Sequence, residues 1–427
     1  MRRSILLITH FYPPSDMVAA RRPAGFAKYL ERLGHSVTVL TSRAWGRADA
    51  PAEPATRVIR TADLMDTGLN WRRAQLKAWS GGAPASPTGG ADYATGVSWP
   101  ARVLVPDVAV LTWLPFAYAA ARRLARRDRF DCVITTSGPE SIHLAGAALA
   151  RGGLPWVADF RDGWGFESLH DWPTAPQWAA DRRLERFVVT RADGVCAVTE
   201  PIAVDLRERF GVDAVTITNG YDPDDAERGE ALAERPEAGT HTMLHAGRMA
   251  SSQRSPAPVL EALRLLDRDS PAVAAKLRLA FAGPLTAEER SMLEGRDVAD
   301  RVRLLGSVPR SEVLGRERAA DSLLLLTAGA RRGEATGKLY EYLSAGRPIL
   351  VLGDRTEAAR IVADADAGVA APVDDPAAIA AALERLVRGN VTANGAPPEY
   401  GYPRLAERMA ALVETARTRA AQRNRIR

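Results

Sequence analysis

Two basic side chains leave one loop of this chain just after an apolar run. Residues Thr242 to His245 read as a buried strand that ends in Ala246-Gly247-Arg248, and Arg254 follows six residues later. A guanidinium donates parallel hydrogen bonds, so two of them on one post-strand loop can clamp a diphosphate. One packing and one surface arginine would give the same spacing. A second feature is Thr336-Gly337-Lys338-Leu339-Tyr340-Glu341-Tyr342-Leu343-Ser344-Ala345-Gly346-Arg347-Pro348. Thr336 can cap a helix, Gly337 exposes backbone N–H groups at the positive end of its dipole, and Lys338 adds a full charge. Glu341 lies three residues on along the same face, where a carboxylate can accept two hydroxyl hydrogen bonds, as a ribose diol requires. Tyr340 and Leu343 point elsewhere and are core candidates. An ordinary capped helix with a solvated Lys–Glu pair would look the same. A P-loop is excluded, because GxxxxGK[ST] needs glycine at 332 and a hydroxyl at 339, where the chain has Arg332 and Leu339.

These residues need strands to aim them. The first half opens with an apolar strand at Ile5 to Thr9, a loop His10 to Asp16, a helix Ala19 to Leu33 stopped by Gly34, and a strand Ser36 to Leu40. Residues 44 to 100 have loop composition, with Gly81-Gly82 and a Gly/Pro/Ser/Ala-rich stretch from Pro84 to Gly90. Alternation resumes with strands at Asp131 to Thr135, Pro155 to Asp159, Gly194 to Val198 and Ala214 to Ile217. The helices between them run Pro139 to Arg151, Pro176 to Thr190 and Ile202 to Phe210. Acidic, aperiodic residues Pro223 to Gly239 read as a linker. A second series follows, with strands at Thr242 to His245, Leu277 to Ala282, Val302 to Leu304, Ser322 to Leu326 and Pro348 to Leu352. Its helices are Pro256 to Leu266, Gly337 to Ala345 and Pro376 to Arg388, and the tail Pro403 to Arg425 is helical in pattern. Short apolar strands alternating with helices predict two open parallel α/β sheets in tandem, facing a cleft, with ligands at the carboxyl ends of the strands.

Composition narrows the rest. With 427 residues, 46% hydrophobic and 26% charged, the chain has the length and make-up of a two-domain globular protein. Cys132 and Cys196 each sit in an apolar run and read as small core residues, which suits a reducing compartment. The uncharged stretch Val108 to Ala121 is too short to span a bilayer, and no secretory core follows Met1. The net charge of +5 is spread over helices, apart from a cluster at Arg122, Arg123, Arg126, Arg127 and Arg129. That cluster is either a solvated helix face or a dock for an anionic membrane surface. Nothing in this distribution points to nucleic acid. His10, His143 and His245 read as structural residues, and no carboxylate or histidine spacing suits a metal.

With these residues in place, the chain resembles glycosyltransferase family 4, whose members have the GT-B fold of two Rossmann-like domains. Gly247-Arg248 with a basic residue six later, and the run from Lys338 to Pro348, resemble the family's donor domain. Thr218-Asn219-Gly220-Tyr221-Asp222 is similar to the segment that closes its first domain. His10-Phe11-Tyr12-Pro13-Pro14 and Leu33 to Leu40 also match, and Val157 to Trp164 resembles a cell-envelope polysaccharide branch. The resemblance implies domains at 1–222 and 223–402, with the last helix, 403–427, packing back on the first. It implies a nucleoside-diphosphate-sugar donor, UDP- or GDP-linked, and a hydroxyl acceptor that can be lipid-borne. It further implies retention at the anomeric carbon, no metal or other cofactor, and a cytoplasmic place that allows peripheral contact with the membrane. The donor set it implies is Asn219, Gly247, Arg248, Arg254, Glu334, Thr336, Gly337, Lys338, Leu339 and Glu341. Near the reacting centre it places Arg161 and Asp162, with Asp16 in the first loop. Asp162 could orient or accept the acceptor's proton, or simply pair with Arg161, and Asp16 could equally be a helix cap. One departure stands out: the family's paired glutamates would put the first at 333, which is Gly333, with Glu334 beside it. A sugar-nucleotide epimerase of similar fold and a non-catalytic nucleotide-sugar-binding protein are the competing readings.

Overall fold

The computed structural model describes residues 2–15, 17–44, 56–65, 103–168, 172–231, 239–249, 254–295, 299–329 and 331–426. Asp16 and the glycine-rich stretch 81–90 lie outside the described residues. The chain divides into a first unit of Met1–Thr218 with Tyr402–Arg427, and a second of Asn219–Gly401.

The first unit holds a seven-stranded sheet of β1 (Ser4–Thr9), β2 (Ser36–Ser42), β3 (Arg57–Thr61), β4 (Cys132–Thr136), β5 (Trp156–Phe160), β6 (Gly194–Ala197) and β7 (Ala214–Thr216). Its order is β3-β2-β1-β4-β5-β6-β7, and every pairing is parallel. The strand order reverses between β1 and β4. Central strands buried on both faces must be apolar along their length, and Ile5, Leu6, Leu7 and Ile8 are all fully or almost fully buried. The predicted helices appear as Arg21–Arg32, Ile142–Arg151, Ala175–Arg191 and Glu200–Phe210. The apolar stretch after residue 108 forms two further helices, Ala109–Thr112 and Leu114–Arg127. No helix among the described residues is long and apolar enough to cross a membrane. The terminal helix Tyr402–Ile426 belongs to this unit, with Leu405, Met409 and Val413 buried in one cluster with Ile5, Leu7 and Phe26. Both cysteines are buried and free.

The second unit holds β8 (His241–Ala246), β9 (Leu277–Ala282), β10 (Val302–Gly306), β11 (Ser322–Leu326), β12 (Ile349–Leu352) and β13 (Gly368–Ala371) in the order β10-β9-β8-β11-β12-β13, again all parallel. Here the order reverses between β8 and β11. The structure adds elements that the sequence reading left out, among them the helices Ala287–Leu293, Arg310–Ala319 and Glu357–Asp364. A strand, β3, lies inside the stretch read as loop, and β13 is added at the far edge. The acidic segment read as a linker begins with a helix, Pro223–Ala231. Asp222 accepts from the Asp224 N–H at its start, and Asp224 and Asp225 complement the positive end of its dipole.

One buried ion pair organises the first unit. Arg22, on the helix after β1, donates to both oxygens of Asp159 on β5, at 2.9 and 2.7 Å, and to the carbonyls of Ile217 and Thr218 at 2.7 Å each. Neither side chain is more than 1% exposed. Asp159 therefore pairs with Arg22. Burial alone would raise the pKa of Asp159, but Arg22, with hydrogen bonds from Cys196 and Thr136, holds it below the ordinary carboxylate value. The stabilisation is therefore complete above the ordinary Asp value and fades as pH falls through the lower, folded-state pKa. Arg22→Met should lower the folding free energy by about 3–5 kcal/mol, because it strands a buried carboxylate. Urea denaturation at neutral pH measures this.

Candidate functional site

In open α/β sheets the crevice at a reversal of strand order, beyond the carboxyl ends of the strands, is where ligands are received. In the second unit that point lies between β8 and β11, and the charged residues singled out above gather there. Gly247, directly after β8, has φ +120°, and a Cβ built on it would lie 1.7 Å from Lys338 Nζ. The ammonium therefore rests against the bare Cα of residue 247. Gly283, directly after β9, has φ +143° and approaches the same residue so closely that its Cβ would meet the Gly247 carbonyl oxygen at 2.6 Å. Lys338 is carried by the helix Gly337–Ala345, which ends at Gly346 in the left-handed region. Leu339, Tyr340, Tyr342 and Leu343 bury that helix, and the Tyr342 hydroxyl accepts from the Ala246 N–H at 2.8 Å. Helix and β8 are thus fastened together beside the ammonium.

Arg254 is held in place. Its Nε and Nη2 donate to Glu334 Oε1 at 3.1 and 2.5 Å, and Glu334 Oε2 accepts from the Ala328 N–H at 2.8 Å. Both side chains are nearly buried, so the pair fixes the loop between β11 and the helix. Arg248 is exposed on the β8 loop. Thr336 precedes the helix but does not cap it through its side chain; its Oγ1 is buried and has no partner. The Leu339 N–H turns back to the Thr336 carbonyl at 3.0 Å, and no side-chain cap covers the helix entry. Glu341 is not simply solvated beside Lys338. Arg310 donates to it and, at 2.8 Å, to Asp225. Asn219 opens the second unit, half-buried.

Sequence reasoning set His245 aside as structural, yet it borders this cluster. Its Nδ1 lies 2.9 Å from the Leu324 carbonyl, which can only accept, so Nδ1 carries the proton and Nε2 is a bare acceptor, buried and without a partner. Burial first, then the positive charges of Lys338 and Arg254, push the imidazole pKa down to about 3. The ring is neutral at physiological pH and adds no charge to the site.

In the first unit the loops after β4 and β5 meet. The Arg161 N–H donates to Ser137 Oγ at 3.0 Å, and Ser141, four residues on, donates through N and Oγ to Asp107 at 2.8 and 2.7 Å. Arg161 pairs with Asp162 at 3.0 and 2.8 Å, and Asp162 is 56% exposed. The two residues pair, and the Asp162 carboxylate still faces solvent. Glu140, on the loop after β4, was not singled out from sequence. Burial, then the carboxylates of Asp107 and Asp162, push its pKa up to about 8 against the opposing pull of Arg161. Only its place beside the strand-order reversal could have marked it. His10 and His143 are buried in the same unit, with Nε2 of His10 2.8 Å from Asp63 and Nδ1 of His143 2.8 Å from Thr135 Oγ1.

A model of Glycosyltransferase Family 4 matches residues 19–225, and one of Glycosyl transferases group 1 matches residues 240–389. A phosphatidyl-myo-inositol mannosyltransferase of Mycobacterium leprae is 31% identical over 189 residues, 43% of this chain and 47% of that protein; the match spans about half of the relative. Among solved structures, a sucrose-phosphate synthase from Thermosynechococcus elongatus superposes with a TM-score of 0.60 at 15% identity, covering 99% of this chain and 94% of that one. A UDP-GlcNAc 2-epimerase from Neisseria meningitidis, bound to UDP-GlcNAc, gives 0.53 at 12% identity, covering 96% and 99%. At such identities these likenesses speak for the fold alone.

Two outcomes follow from the geometry. Gly247→Ala should cost about 1–3 kcal/mol, through backbone strain at a positive φ and displacement of Lys338, read as a lowered melting temperature. Glu140→Gln should gain stability relative to the parent as pH rises from about 5 to 8, and hold level above that. In the folded parent the raised pKa keeps a proton that the unfolded chain has lost, so stability falls across that window until the folded carboxyl ionises. Denaturation midpoints at a series of pH values test the sign.

Proposed function

Since the chain belongs to glycosyltransferase family 4, we propose that it transfers a sugar from a nucleoside-diphosphate sugar to a hydroxyl acceptor, with the second unit taking the donor. The observation that carries this reading is the seating of Lys338 against Gly247 at the strand-order reversal, beside the entry of the helix Gly337–Ala345. A pyrophosphate there meets an ammonium, backbone N–H groups at the positive end of a helix dipole, and the guanidiniums of Arg248 and Arg254. These groups stabilise the charge that grows on the diphosphate as the sugar leaves, which is the main catalytic task in such a transfer. Because Glu334 fixes Arg254, little reorganisation is required as that charge appears. Side chains supply all the positive charge in this scheme, and no metal is invoked.

Glu341 takes the ribose diol. A carboxylate has about four lone-pair directions, so an oxygen that already accepts from Arg310 still leaves capacity for hydroxyls. Asn219 and Thr336 complete the donor surface, with fully buried Leu339 packing the helix beneath it. The first unit takes the acceptor, with Asp162, oriented by Arg161, as its hydrogen-bond partner. Asp16 belongs to the same proposal by position in the sequence. Retention, as in the family at large, is the expected stereochemistry. The mannosyltransferase relative makes a lipid-borne acceptor the first class to try. Exposed Leu111 and Phe116 beside exposed Arg122, Arg123, Arg126 and Arg127 support a peripheral seat on an anionic membrane.

UDP or GDP should raise the melting temperature of the parent, since a ligand at 100 times its Kd adds about 2.7 kcal/mol. Lys338→Ala and Arg254→Gln should each abolish most of the shift. Absence of a shift with every nucleoside diphosphate at millimolar concentration would sink the donor assignment. Incubation with the sugar nucleotide alone then separates transfer from epimerisation, because only an epimerase releases an altered sugar nucleotide without an acceptor.

A further inference from the structure

On the first unit, the helices Ala175–Arg191 and Glu200–Phe210 border a surface cavity of about 290 Å³, lined by Arg182, Arg183, Arg186, Arg209 and Phe210, with Gly165 of the loop after β5 packed against Arg182. Four arginine side chains line a space with room for a phosphate and part of the group that bears it. Like charges gather only where something holds them, and here two devices do. Glu185, fully buried, accepts from Arg209 at 2.9 and 2.7 Å and from Arg182 at 3.1 Å, while the Gly165 N–H donates to it at 3.0 Å. Phe210 attracts the guanidiniums of Arg209 and Arg186, which lie 4.5 and 5.3 Å from its ring centroid. Asp205 adds a second carboxylate for Arg209. Arg183 and Arg186 have no carboxylate partner among the described residues. Set against Glu185 and Asp205, the four cations leave two positive charges facing the cavity uncompensated.

From this arrangement we propose that the α-helical pair carries a second anion site, specific for a phosphate group and separate from the donor site of the other unit. The buried Glu185 preorganises the inner guanidiniums, and the outer ones, Arg183 and Arg186, close on the ligand. Arginine suits the task because its planar fork donates paired hydrogen bonds to phosphate oxygens. Trp178 is 57% exposed one turn before Arg182, whose guanidinium lies 5.7 Å from its ring, and gives the rim an aromatic shoulder. The phosphate can belong to a soluble metabolite or to a lipid headgroup, and the same site chemistry serves both.

The test uses the full chain and the double variant Arg183→Gln/Arg186→Gln. Both residues are exposed, so the fold should survive, as circular dichroism will verify. Inorganic phosphate is titrated calorimetrically, and cosedimentation is measured with vesicles of phosphatidylcholine alone or with phosphatidylglycerol added. The variant should bind phosphate at least ten-fold more weakly than the parent if the source is soluble, or lose cosedimentation with the anionic vesicles if it is a headgroup. Either result supports the site. Arg264→Gln/Arg268→Gln, which removes equal charge from exposed positions on the helix Ala257–Asp269 of the other unit, should leave both readouts unchanged. Arg183→Lys/Arg186→Lys, which keeps the charge but not the fork, should still weaken phosphate binding. Equal losses in the two glutamine variants, or no loss in Arg183→Gln/Arg186→Gln, overturn the proposal.

Discussion

The ammonium of Lys338 reaches its place only because residue 247 has no side chain. Every other feature of the second unit's site is arranged around that contact. The positive φ of Gly247 turns the chain sharply off β8, and the equally tight turn at Gly283 brings a neighbouring backbone up against it. A helix buried through Leu339, Tyr340, Tyr342 and Leu343 delivers the lysine from below, and the Tyr342 hydroxyl ties that helix to β8. The charge is thus positioned by packing and backbone geometry. Burial keeps His245 neutral beside it, so the field at the site comes from Lys338 and the arginines.

The first unit solves a different problem with a different device. Its buried Arg22–Asp159 pair joins the helix after β1 to β5 and to the backbone at Ile217 and Thr218, so a single guanidinium satisfies a carboxylate and two carbonyls that would otherwise be stranded. The ion pair sits immediately before the loop that carries Arg161 and Asp162. Asp159 is locked and charged, while Asp162, three residues later, is open to solvent. Two aspartates on one strand end therefore have separate tasks, and it is burial with a partner that separates them.

Much of this was legible in the sequence, for reasons that are physical. The helix Gly337–Ala345 was read with its observed bounds because glycine stands at both ends and apolar residues fill one face. β1, β9 and β11 were read because buried parallel strands are continuous apolar runs. β3 and β13 were not: they are edge strands, Arg57–Thr61 with polar residues at three of its five positions and Gly368–Ala371 built largely of small ones, so neither forms such a run. The helix Pro223–Ala231 was hidden by its acidic composition, although that same acidity favours a helix start. Tertiary pairing was the least visible layer. Arg310 lies 31 residues before Glu341 and Glu334 lies 80 after Arg254, and no local pattern announces either bond. Thr336 had the right residue type for a cap, yet the structure buries its hydroxyl away from the helix N–H groups.

The glycine at 333 bears on how a donor sugar would be held. Of the about four lone-pair directions of Glu334, Arg254 takes two and the Ala328 N–H one, so a sugar hydroxyl would share the carboxylate with them. Turning it fully toward a sugar would break a nearly buried ion pair and leave Arg254 without its anchor. The carboxylate sets the loop and aims the guanidinium. What remains at 333 is backbone. A sugar bound there would meet N–H and C=O groups in place of a carboxylate, and discrimination among sugars would rest on the shape of the loop between β11 and the helix more than on charge. Selectivity of that kind would depend on the Arg254–Glu334 pair from a distance, since that pair, with bonds from the Glu357 and Ala358 N–H groups to the Arg332 and Glu334 carbonyls, holds the end of the loop.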